Sequence, residues 1–203
     1  MSLTLTNRTT IVDRFVPRSL VADVALVLSG AVLIWLSTYV VIPLGFTPVP
    51  LTGQTFAVLL AASALGLNRG TLATLLYAVV GWFGAPVFAS HTSAVFSFQS
   101  PTLGYVVGFI AASALVGWLA ELGWDKNPAL TLASFVFGNL VIYGFGVAWL
   151  ANFLAVVGAP HDLLSVLKAG LIPFLIGDAI KIALAAGLLP SAWLLVKSIK
   201  GEK

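Results

Sequence analysis

No cysteine occurs among the 203 residues, which excludes disulfides, thiolate metal sites and cysteine nucleophiles. Charge is nearly as scarce: Asp, Glu, Lys and Arg make up 8% of the chain, against about one-quarter in a soluble domain. The two histidines, His91 and His161, stand far apart with no H-E-x-x-H pattern, so no metal site is expected. There is no G-x-x-x-x-G-K-[ST] run to cradle a nucleotide phosphate, no nucleophile elbow and no kinase signature, so the chain is not expected to be an enzyme or to hydrolyse ATP itself. The formal charge of +3 rests on cations placed at the ends of apolar runs rather than along one basic stripe, which argues against a nucleic-acid partner.

What the chain has in abundance is apolar surface, at 60% of residues. Long apolar runs with short polar breaks need lipid as solvent and leave no room for a sizeable aqueous domain. The expected organisation is a polar amino-terminal segment, residues 1–18, and one membrane domain, residues 19–203. The fold class is all-α, a bundle of six transmembrane helices over about 20–42, 54–67, 71–83, 102–122, 130–157 and 172–196. The first run is too long for a signal-peptide core and is expected to stay as an anchor. Pro43, Pro48 and Pro50 mark the stretch GFTPVPLT as a constrained loop. The second and third helices are short for a hydrocarbon core that takes about 20 residues, which requires tilt or shielding by protein.

Ten cations orient this scheme, because Lys and Arg favour cytoplasmic flanks. Six spans with both termini inside put Arg8, Arg14, Arg18, Arg69, Lys126, Lys197, Lys200 and Lys203 in the cytoplasm. Lys168 falls outside, and Lys181 lies within the membrane. An odd span count would split the two basic termini.

Asp178 and Lys181, in IPFLIGDAIKIALAAG, are the most informative pair. Each charge costs at least about 2.5 kcal/mol at the centre of a membrane helix, so such residues face the bundle interior and mark a functional site by default. Three residues of helix place both on one face, with Phe174, Gly177 and Ala185 beside them as an aromatic wall and small neighbours. They either bind a ligand together or neutralise each other as a structural ion pair.

An uncharged polar cluster joins them: Thr52, Gln54 and Thr55 after the double proline, and Gln99, Ser100 and Thr102 before the fourth span, with Tyr105 adding a ring with a polar tip. Ser100 before Pro101 and Thr52 before the second helix also fit helix caps. Asn139 and Tyr143, one turn apart, are candidates for the same cavity, the alternative being an interhelical hydrogen bond or an interface aromatic, which is the reading taken for Trp149. Ala25 and Ser29 form a small-xxx-small spacing suited to a partner helix.

Five stretches, FTPVPLTGQTFAVLLAASALG, YAVVGWFGAPVFA, SPTLGYVVGF, LVIYGFGVAWL and PFLIGDAIKIALAAGLLP, resemble the BioY family over roughly Pro43 to Pro190. The family comprises biotin-specific substrate-capture subunits, or S components, of energy-coupling-factor transporters. The resemblance implies a six-helix protein in the bacterial cell membrane, binding biotin near its outer face and working with a transmembrane T component and two ATPase subunits. It implies a lid over the site at Thr47 to Thr52 and matches Asp178 and Lys181 to the family's G-D-x-x-K motif. Leu103 stands where the family's P-T-G-G-Y segment has its first glycine.

Biotin fits this chemistry. Its ureido ring offers two N–H donors and a carbonyl, its thiophane is apolar, and its valerate ends in a carboxylate. Asp178 is expected to accept ureido N–H bonds while Lys181 orients it or meets the carboxylate; the opposite orientation stays open. Phe174 and its neighbours wall the thiophane, with Gln54, Gln99, Ser100 or Tyr105 completing the polar contacts. No cofactor is expected beyond biotin as cargo. The competing readings are an S component for another small vitamin, a membrane scaffold with a structural Asp178–Lys181 pair, and an intramembrane acid or base at Asp178, which lacks a second carboxylate.

Overall fold

Ser19 opens the first long helix, its hydroxyl accepting from Ala22 N at 3.2 Å as an N-cap does. In the computed structural model, which describes residues 9–17, 19–89 and 100–201, this helix, α1, runs Leu20–Ser37. It stops short of the expected Ile42. The Ser37 and Thr38 hydroxyls turn back onto the Ile34 and Trp35 carbonyls, competing with the next helical bonds, and the β-branched run that follows leaves the helix. Val41–Ile42 (β1) pairs antiparallel with Leu51–Thr52 (β2), Val41 opposite Thr52 and Ile42 opposite Leu51. The proline-rich loop is thus a small two-stranded ribbon.

The expected second and third helices form one helical element, α2, Gln54–Trp82, broken at Gly66. Gly66 has φ 85° and ψ −177°, a region open in practice only to glycine. The halves, 54–65 and 67–82, fold back on each other. Gln54 Nε2 donates to Tyr77 Oη across 23 positions, which a straight helix would separate by about 34 Å. Gly70 lies so close to Ala62 that a Cβ there would come within 2.7 Å of its Cα. The arms are roughly 18 and 24 Å long. Glu121 closes the turn by accepting from Leu67 N at 2.9 Å, and Arg69 ties it to the amino-terminal segment through Asp13 at 2.8 Å and to α1 through Asp23 at 2.6 Å.

α3 spans Leu103–Glu121 and α4 spans Pro128–Val156, the latter capped by Asn127 Oδ1 with proline at its first turn. A short helix not foreseen in the sequence, α5, Leu163–Gly170, follows, capped by Asp162. A 3-10 turn, Ile172–Phe174, leads into α6, Leu175–Lys200. α2 packs most extensively on α3, α3 on α4 and α1 on α2, while α6 rests mainly on α4. Large apolar side chains remain exposed along the long helices, including Leu20, Val21, Leu140, Ile176 and Leu194, as a lipid-facing surface requires. Among the described residues five helical stretches are long and apolar enough to cross a membrane: α1, the α2 hairpin, α3, α4 and the α5–α6 stretch.

Side-chain bonds sort the ends of the bundle. Asp13, Asp23, Arg69 and Glu121 meet at one end, where Trp193 of α6 also donates to Asp125 in the α3–α4 turn at 2.6 Å. The ribbon, Ser100–Thr102, α5 and the start of α6 gather at the other.

Candidate functional site

At this second end lies a cavity of about 450 Å³ between the ribbon, α2, α3, α4 and α6. Its polar side is built on the first turns of α6. Lys181 Nζ donates to Asp178 Oδ1 at 2.9 Å, to Thr55 Oγ1 at 2.8 Å and to the Thr52 carbonyl at 2.8 Å. Its three N–H bonds are therefore filled, one by the ribbon itself. Asp178 Oδ1 also accepts from Thr55 Oγ1 at 3.3 Å, and Oδ2 accepts from the Tyr143 hydroxyl. Asp178 is 4% exposed, so the ion pair and these hydroxyls compensate a charge that burial would otherwise make costly.

Other parts of the wall are apolar and aromatic: Val49, Phe88, Val106, Phe109 and Phe174. Tyr105 and Tyr143 meet edge to face, ring centroids 6.5 Å apart. Such a chamber suits a small ligand with an apolar body and a head that both gives and takes hydrogen bonds.

Of the residues singled out in the sequence, Thr52, Gln54, Thr55, Ser100, Thr102, Tyr105, Tyr143, Phe174, Asp178 and Lys181 line this one cavity. Gln99 lies outside the described residues. Gly177 and Asn139 are not among the lining residues. Gly177 faces the underside of the ribbon, where a Cβ would meet Leu51 Cδ1 at 3.1 Å. Asn139 is buried on α4 with its Oδ1 unpartnered, one turn further from the cavity than Tyr143. Ala25 and Ser29 sit on the exposed face of α1, where Ser29 bonds its own helix at Leu26 O.

One capping expectation changes. Ser100 does not cap α3, which begins at Leu103; its hydroxyl pairs with Thr102 Oγ1 at 3.1 Å, and its carbonyl accepts from Trp149 Nε1 at 2.8 Å. The indole of Trp149 thus holds the segment entering α3 through a hydrogen bond. Thr52 retains a cap-like contact, its hydroxyl 3.4 Å from Gln54 N.

Val106, Phe109 and Phe88 were not singled out as site residues. Tyr105, Val106 and Phe109 share a helical face at i, i+1 and i+4, a signal present in the sequence. Thr55, three positions beyond Thr52, gains its role from Lys181, which the sequence places 126 positions away. Phe88 lies in a loop and carries no such signal.

The comparisons agree with this architecture. The BioY family profile matches residues 6–198. A biotin transporter BioY of Thermotoga maritima is 40% identical over 162 residues, covering 80% of this chain and 86% of that protein. One of Rhizobium etli is 34% identical over 166 residues, covering 78% and 86%. In fold, the chain is similar to a crystal structure of the S-component for biotin from an ECF-type ABC transporter, with a TM-score of 0.72 at 23% identity, covering 90% of this chain and 93% of that one. The five long apolar stretches make the protein a multi-pass membrane protein, and the match along nearly its whole length makes it a member of the BioY family.

Proposed function

We propose that this protein is a biotin-binding substrate-capture subunit of an energy-coupling-factor importer, with the 450 Å³ cavity as the biotin site. The observation that carries the reading is the buried Asp178–Lys181 pair, bonded to Thr55, Tyr143 and the ribbon carbonyl on the wall of a chamber that also has apolar and aromatic sides. Asp178 accepts one ureido N–H, through the lone-pair site that Lys181, Thr55 and Tyr143 leave free. Lys181 orients it, because all three ammonium protons are already engaged and a carboxylate at Nζ would have to displace Thr52 O. Phe174, Phe109 and Val106 hold the thiophane. The side chains of Gln54, Ser100, Thr102 and Tyr105 complete the polar contacts, and the ribbon closes over the ligand.

The same reading gives six membrane spans, each arm of the α2 hairpin crossing once, and one membrane domain from residue 19 onward. Both termini are then cytoplasmic in a bacterial inner membrane. Arg14, Arg69 and Lys126 belong to the end of the bundle remote from the cavity, which supports an outward-facing site. Ala25 and Ser29 on α1 present a small-residue face to a T component, and ATP hydrolysis belongs to two partner subunits. Biotin is the cargo, and no cofactor takes part.

Calorimetric titration of the purified protein in detergent with biotin, and with thiamine and riboflavin as controls, tests the assignment. Tight binding of biotin alone is the expected result. Absence of heat together with absence of thermal stabilisation by biotin would remove biotin as the ligand.

A further inference from the structure

The last four carbonyls of any α-helix have no donor within the helix. In α5 two of them are taken by hydroxyls from distant parts of the chain. Thr47 Oγ1 donates to Ala169 O at 2.6 Å, across 122 positions, and Tyr105 Oη donates to Gly170 O at 2.7 Å. These neighbouring carbonyls hold two different walls of one cavity: Tyr105 lines it, and Thr47 directly precedes the Pro48–Thr52 segment that covers it.

The Thr47 hydroxyl acts twice, for it also accepts from Val49 N at 3.2 Å, fixing the turn that it anchors. Pro48 and Pro50 restrict φ in the segment beyond, so the position of Thr47 carries through to the covering residues. The far end of the segment is held separately, by Lys181 on the Thr52 carbonyl. Gly170 makes the second contact possible, because a Cβ there would lie 2.5 Å from Tyr105 Oη and 2.5 Å from Leu150 Cδ2. The helix supplying both carbonyls packs mainly on α4, with Val166 buried and Leu163 and Leu164 exposed.

We infer that the carboxy-terminal turn of α5 is the anchor that fixes the loop over the cavity, with Thr47 and Gly170 as positioning residues. Thr47 is not among the cavity-lining residues, so it acts through the loop. Breaking its bond to Ala169 frees the loop to swing about its Thr52 end, and ligand retention depends on that bond. The retention role rests on the cavity being the biotin site proposed above; the anchoring role does not.

The test compares hydrogen–deuterium exchange of the unliganded full chain in detergent with the biotin release rate of the same preparations. Thr47→Val removes the hydroxyl at nearly constant volume, Thr47→Ala removes it without adding a methyl group, and Thr47→Ser keeps it. In the Val and Ala variants exchange across residues 44–52 is expected to rise roughly 3- to 10-fold, as loss of one net hydrogen bond gives. Biotin release should accelerate by a similar factor, and the Ser variant should match the unsubstituted chain. Unchanged exchange in both hydroxyl-free variants overturns the anchor. Faster exchange with unchanged release overturns its part in retention. If the unsubstituted chain binds no biotin, the assigned substrate fails while the exchange comparison still decides the anchor.

Discussion

Tyr143 on α4 donates its hydroxyl to Oδ2 of Asp178 on α6, while Oδ1 of the same carboxylate takes Lys181 and Thr55. The two oxygens are thereby made unequal: one is held by a neutral phenol, the other by an ammonium and a hydroxyl. A carboxylate has about four lone-pair sites, so acceptor capacity remains for a ligand, and its direction is set by these three partners.

Tyr143→Phe leaves Oδ2 buried without its donor. A hydrogen bond to a charged group contributes about 1.5–3 kcal/mol, and the unliganded protein should lose stability of that order. Thermal unfolding in detergent reads it. An unchanged melting temperature would show that the phenol adds nothing to the pair.

Lys181→Met removes the counter-charge of a carboxylate that is 4% exposed, and breaking a buried pair in this way costs about 3–5 kcal/mol. Adding Asp178→Asn should restore most of that loss, since no charge is then stranded. Biotin binding should stay lost in the double variant. Recovery of binding together with stability would mean that the pair is structural and that the ligand does not use it.

The two ends of the fold were unequally legible in the sequence. Asp178 and Lys181 stand out because a charge in an apolar run needs a reason, and their spacing alone puts them on one face. Thr52, Gln54 and Ser100 follow from polar residues beside prolines. α5 was not legible, since LLSVLKAG reads as the tail of an outer loop until its position against α4 is known. The Gly66 hairpin was half legible: the break near Gly66 to Gly70 is visible, whereas the absence of an intervening loop depends on Glu121, 54 positions from Leu67, satisfying the freed N–H. Cross-chain partners of this kind leave no local periodicity, and the same holds for Thr47 and Ala169.

Gly66→Ala should be among the more damaging single-methyl changes in the chain. Its φ of 85° with ψ −177° costs a side-chain-bearing residue about 1–3 kcal/mol. The new Cβ would also lie 2.8 Å from Glu121 Oε1 and from Thr10 Cγ2, disturbing the contact that closes the hairpin. A loss of at least that size is expected in thermal unfolding. Gly45→Ala, where a Cβ meets nothing within 4 Å, serves as the control and should change little.

Asp125, in the turn between α3 and α4, gives the bundle an acid-side stability signature. Burial pushes its carboxyl up to about 6 from an ordinary value of 3.8, against the Trp193 hydrogen bond and the nearby Lys126 charge, which favour ionisation. Oδ2 accepts from Trp193 at 2.6 Å, while Oδ1 is buried without a partner. The folded state therefore holds this proton more tightly than the unfolded chain does. Its contribution is fully present below about pH 4 and is lost as pH rises through about 6, on the order of 3 kcal/mol in all. Asp13 has the opposite sign. Burial alone would raise it, but hydrogen bonds from Arg69 and Thr10 and the Arg69 charge hold it below the usual carboxylate range, so its contribution fades only as pH falls below about 4. Melting temperatures taken between pH 4.5 and 7 isolate the Asp125 effect. Stability should decline across that interval, and Asp125→Asn, which cannot ionise, should flatten the decline. A decline of equal slope in the Asn variant would assign it to another group.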